Sequence, residues 1–228
     1  MKWSELFSSS VGKKLIMGLT GIFLILFLVV HAGINACIWA GDNGVMFNKA
    51  AHFMGSTIVI RILEVGLFVF FFLHIIQGLF LEYMNRTRRE KSYAVPMGSK
   101  GSTWYSRSMG LLGTILLIFL IIHWWHFWVP SRFTGVEQVS LGNGVESHDM
   151  YSLMKKTFEQ LWVVALYVVA CISLCWHLIH GFQSAFRTLG VHNNRYLKLI
   201  QSVGLFYSVV VSAAFAMMPV SMYLGWVK

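Results

Sequence analysis

Hydrophobic residues in this chain fall into five runs, each near or above twenty residues, parted by polar segments. The runs are continuous. Wound as helices, these runs place apolar side chains on every side, so no face is reserved for water. About 20 such residues cross the roughly 30 Å hydrocarbon core of a bilayer, and a helix satisfies its own backbone there. The pattern therefore predicts an all-α membrane protein, one transmembrane domain through residues 1–228, with spans over 15–39, 58–83, 109–129, 161–186 and 199–226. Gly41-Asp42-Asn43-Gly44 is a turn signal after the first span, and Pro130 is expected to close the third. The segment GVHNNR breaks the chain before the fifth, and polar residues 131–160 suggest turns.

Composition agrees, with 57% hydrophobic against 12% charged residues, which a soluble domain of this size rarely shows. The nine tryptophans suit interfacial belts. Lys13 and Lys14 precede the first run as in a signal peptide, but that run is too long for one and reads as a retained span. Cys171 and Cys175 lie one turn apart in an apolar helix and Cys37 stands alone, which suits buried thiols. No iron–sulfur spacing, dinucleotide fingerprint or phosphate loop appears, so any flavin or iron–sulfur cluster would belong to another chain.

Five spans put the termini on opposite sides. Twelve of the 18 Lys and Arg then share the N-terminal side, with three of the nine Asp and Glu. The positive-inside rule makes the N-terminus cytoplasmic and the C-terminus outside, as in a multi-pass protein of the inner (cytoplasmic) membrane. The positive face would meet anionic lipid or an acidic soluble partner, and nothing points to nucleic acid. Arg61 and Glu64, spaced i,i+3, are expected to pair near the interface.

Four spans carry a histidine at membrane depth, where an ionisable side chain is costly and marks a functional site. At about 1.5 Å per residue, His31 and His123 lie some 12 and 9 Å below the outer edge, and His74 and His180 some 14 and 9 Å from the inner edge. Two imidazoles from two helices at one level is what bis-histidine haem ligation needs. The spacing predicts an outer pair, His31 with His123, and an inner pair, His74 with His180, about 10 Å apart along the membrane normal. That separation would let electrons pass between two haems. His177, one turn before His180, competes for the inner role, but Gly181 beside His180 gives a porphyrin room. His126 suits the interfacial belt, and His52, His148 and His192 fall in or beside loops and are expected to be solvated. Gly21 and Gly113, each ten residues before an outer histidine, would sit at the inner level and clear space for a haem, with Gly18 and Gly110 one turn earlier. Gly66 and Ala170 would do so at the outer level. Ordinary small-residue helix packing explains the same glycines equally well. Ser106, Arg107 and Arg187 at the inner edge and Arg132 at the outer edge are candidates for the haem propionates.

These residues resemble a known family: the single-subunit, five-helix di-haem cytochrome b anchor of succinate dehydrogenases and fumarate reductases. The likeness covers all five spans and is carried by VVHAGIN followed by GDN, FLHIIQG, IIHWWHFW and HGFQSAFRTLG. It implies two haem b groups, with His31 and His123 on the distal iron and His74 and His180 on the proximal one. It further implies a flavoprotein subunit and an iron–sulfur subunit on the cytoplasmic face, and a quinone, menaquinone by expectation, as electron acceptor. Dicarboxylate chemistry would belong to the partner, so no catalytic side chain is expected here, only electron transfer within the tricarboxylic acid cycle. Some fumarate-reducing members carry a glutamate two residues before the last haem histidine, where this chain has Leu178. The outer carboxylate that some members use has no clear counterpart near Phe47–Phe53. Succinate oxidation is accordingly the expected direction. A quinol-driven fumarate reductase, or a haem anchor for another membrane oxidoreductase such as a hydrogenase, is the alternative.

Overall fold

A computed structural model describes residues 9–87, 104–142, 144–191 and 193–227. Lys2, Arg88, Arg89, Lys91, Lys100, His192 and the side chains of Arg86 and Ser106 lie outside the described residues. The chain is mostly helical, and five helices are long and apolar enough to cross a membrane: Val11–Ala40, Ile58–Met84, Met109–Thr134, Leu161–Thr188 and Asn194–Tyr223.

The first spanning helix, α1 (Ser10–Ala36), starts where the Ser9 side chain accepts from Gly12 N at 3.0 Å. It ends in a tight turn, Cys37–Ala40. The predicted Gly-Asp-Asn-Gly turn follows, with Gly41, Asn43 and Gly44 all at positive φ. Gly44 has a second reason to lack a side chain, since a Cβ there would strike the Tyr151 ring.

Helix α2 (Val45–Ser56) comes next and was not legible as an element. Thr57 is extended and separates it from α3 (Ile58–Thr87). Helix α4 (Met109–His123) does not stop at Pro130 as expected. It continues in a wider helical register over Trp124–Trp128 and Pro130–Thr134. Proline has no N–H to donate. On either side of it the bonds reach back five residues, Val129 N–H to the Trp124 carbonyl and Gly135 N–H to the Pro130 carbonyl. A short hairpin (β1 Gln138–Ser140, β2 Glu146–His148) and α5 (Met150–Thr157) precede α6 (Leu161–Thr188). The fifth span, α7 (Asn194–Tyr223), begins five residues earlier than expected because the Asn193 side chain caps it at Arg195 N. It ends before Gly225, with Pro219 buried inside.

Helix α6 is the hub. It packs most extensively on α7, and α1 and α4 also pack against it. The α6–α7 approach is close: a Cβ on Gly204 would lie 2.8 Å from the Phe182 ring. Gly18 lies against Ala185 and Thr188, so it serves helix packing, and Gly110 serves it likewise against Glu82. Helix α3 packs on α1 and only lightly on α4, and no described residue of it is fully buried.

The main core sits at one end of the bundle, called upper here. There Ile38, Phe47, Tyr151, Met154, Phe158 and Tyr167 cluster beneath α2 and α5. A polar knot ties that end. Buried Asn48 donates to Asp149 Oδ1 at 2.9 Å and accepts from Tyr151 N at 3.0 Å, while Asp149 caps α5 through Ser152 N and Oγ. Burial pushes the Asp149 carboxyl upward, but the bonds from Ser152, Asn48 and Tyr151 outweigh it and hold the group below its ordinary value.

Candidate cofactor site

Helices α1, α3, α4 and α6 enclose a cavity of about 2150 Å³ that reaches from Lys14, Arg107 and Arg187 at the lower end to Arg132 and His148 at the upper. Drug-sized ligands fill about 300–1,000 Å³, so this space holds more than one such group. Its middle is bordered by His31, His74, His123, His177 and His180, each half-buried because it faces the cavity.

The upper pair is the expected one. His31 and His123 have ring centres 5.9 Å apart with planes at 89°. Aromatic rings surround them. Phe27 and Phe215 lie 5.2 and 5.5 Å from His31, and Phe119, Phe127 and Tyr167 lie 5.6, 5.3 and 6.1 Å from His123.

The lower pair differs from expectation. The ring that faces His74 is His177, at 6.3 Å between centres and 65° between planes. His180 borders the same cavity one turn further along α6. The depth count already favoured His177. It lies nine residues before Phe186, as His74 lies nine before Tyr83. Gly181 drew attention to His180 instead, although no atom lies within 4 Å of where a Cβ on Gly181 would stand.

The glycines expected at this level are there. A Cβ on Gly21 would lie 3.5 Å from His74 Cε1, and one on Gly113 would lie 3.9 Å from His177 Cε1. Each is ten residues from the upper histidine of its own helix. The two levels are thus about 15 Å apart along the helices, more than the 10 Å expected. No atom lies within 4 Å of a Cβ on Gly66, and Ala170 is buried beside the cavity.

The donor set suits a metal with two axial imidazoles. Two rings bound to opposite sides of one ion, each through a nitrogen about 2 Å away, have centres about 6 Å apart. Both pairs match that separation. Nδ1 of His123 and of His177 is buried without a hydrogen-bond partner, so each pair contains one ring with an unsatisfied nitrogen. Such orphans are uncommon and call for an explanation.

Other expected residues are placed as follows. Arg107 and Arg187 border the lower end of the cavity. Arg132 borders the upper end, where it meets Glu64 at 3.0 Å. Glu64 also accepts from Trp128 Nε1 at 3.0 Å and pairs with Arg61 at 3.4 Å, so the expected i,i+3 pair belongs to a larger cluster. His126 is stacked on Tyr167, with its Nδ1 3.0 Å from the phenol oxygen. His52 and His148 are not solvated loop residues. They lie on α2 and β2, half-buried beside the cavity.

Searches against protein-family models, curated proteins and solved structures return no match for this chain.

Proposed function

We propose that this chain is a cytochrome b membrane anchor of a succinate dehydrogenase, receiving electrons from an iron–sulfur partner and delivering them to a quinone. The observation that carries the reading is the two-level arrangement: imidazole pairs 5.9 and 6.3 Å apart, on four helices, along one cavity. His31 and His123 would hold the upper haem, and His74 and His177 the lower. Bound there, two b-type haems would supply one-electron transfer.

The chain's own residues prepare that site. Neutral imidazoles cost little to bury and lend a lone pair to a metal. The ring of Phe27, Phe119, Phe127, Phe215 and Tyr167 excludes water at the upper level and lowers the local dielectric. Arg107 and Arg187 place positive charge at the lower end, suited to propionates. On this reading the lower end is cytoplasmic and receives the flavoprotein and iron–sulfur subunits. Menaquinone is the proposed acceptor, and succinate oxidation the working direction.

The test is a visible spectrum of the purified native complex before and after succinate. A reduced b-type α band with two haems per chain, and co-purifying flavin, supports the reading. Haem that dithionite reduces but succinate does not would point to an anchor of another oxidoreductase. Faster quinol–fumarate than succinate–quinone turnover would reverse the direction, and absence of haem from folded protein overturns the proposal.

A further inference from the structure

We infer that Thr20 is a positioning residue for His74: its hydroxyl oxygen accepts a hydrogen bond from Nδ1–H and so leaves the lone pair of Nε2 available to iron. This rests on the haem reading above. Thr20 lies on α1 and is 2% exposed, so its hydroxyl must be satisfied inside the protein. Oγ1 lies 2.8 Å from the Ile16 carbonyl, 3.2 Å from the Met17 carbonyl and 3.1 Å from His74 Nδ1.

A hydroxyl has one proton. The short contact to Ile16 uses it, in the back-bond that helical threonines favour. Toward Nδ1 the same oxygen can then only accept, so Nδ1 carries the hydrogen. A neutral imidazole has one N–H, and Nε2 is therefore bare. Gly21, the next position, leaves the edge of that ring uncovered, since a Cβ there would stand 3.5 Å from Cε1. An outer partner of this kind fixes the tautomer of a ligating histidine and raises its basicity. A more basic ligand favours ferric iron and lowers the potential of that haem.

The other three rings differ. Nδ1 of His123 and of His177 has no partner, and Nδ1 of His31 meets the Asn35 amide nitrogen at 3.5 Å, the limit of a hydrogen bond. The effect of Thr20 should therefore be confined to the lower level.

The experiment is a redox titration of the native complex, followed optically, for wild type, Thr20→Val and Thr20→Ser. Valine keeps the shape and removes the acceptor. The midpoint of one haem should rise, by about tenfold in its reduction equilibrium or ~59 mV for one electron, with the other unchanged. Serine should restore the wild-type value. Unchanged potentials in Thr20→Val overturn the inference, as does Thr20→Ser behaving like valine. Should valine abolish the lower haem, serine decides: retention at the wild-type potential supports the hydrogen bond, and loss overturns it. Wild-type protein without haem bands would overturn the parent reading and this one with it, and that is seen before any variant is made.

Discussion

The upper and lower histidine pairs use the same side chain, each pair on two helices of the four around one cavity, yet different contacts orient them. At the upper level rings do it. His31 and His123 are wedged among Phe27, Phe119, Phe127, Phe215 and Tyr167, beneath a core that α2 and α5 close over. At the lower level a hydroxyl and two glycines do it. Thr20 meets His74 Nδ1, while Gly21 and Gly113 let the helix backbones come close to the rings. Hydrophobic burial is non-directional and spreads over many contacts, whereas a hydrogen bond sets direction at one atom. Single substitutions should thus perturb the lower pair sharply and the upper pair by degrees.

The largest effects should come from the imidazoles. On the proposed haem reading, His177→Ala is expected to remove the lower haem and leave the upper one, and His123→Ala to do the reverse. His180→Ala should retain both. Haem-to-protein ratios check all three, and loss of the lower haem with His180→Ala but not His177→Ala would restore the pairing first expected from sequence. Next, Gly21→Leu should drive a side chain into His74 and empty the lower level while the upper band survives. Equal loss at both levels would mean that Gly21 serves general packing.

Phe119→Ala should loosen the upper pair by about 1–2 kcal/mol, below the range for a fully buried aromatic because Phe119 is only partly buried. The readout is earlier thermal loss of the upper haem's absorbance, with the lower unchanged. Tyr167→Phe keeps the rings stacked and removes one hydrogen bond to His126, so about 1 kcal/mol is expected, with little change in either spectrum.

The smallest effect should be that of acid on the cap. The folded value of Asp149 is depressed, so its contribution is complete above the ordinary aspartate range and is lost as pH falls through its own lower value. Exchange protection in residues 138–157, after division by the intrinsic amide rate at each pH, should fall there and stay constant between pH 6 and 8. Asp149→Asn should remove the acid dependence.

Five spans, the turn at Gly41–Gly44 and the separation into two histidine levels follow from the amino-acid sequence alone. Continuous apolar runs have one solution in lipid, and depth along a helix is simply a residue count. Rotation about the helix axis is different. His177 and His180 are one turn apart with similar surroundings in sequence, and only the packing of α6 against α1, α4 and α7 decides which ring is turned to His74. The same holds for Thr20, an unremarkable residue in an apolar run until α3 brings His74 against it. Helix α2 was hidden because its short amphipathic pattern acquires meaning only when Asn48 reaches Asp149 and Tyr151, about a hundred residues away. Local chemistry thus determined which helices are long and apolar enough to cross a membrane and at which heights along them the imidazoles stand. Long-range packing chose their partners, because no sequence period records the angle at which one helix presents a side chain to another.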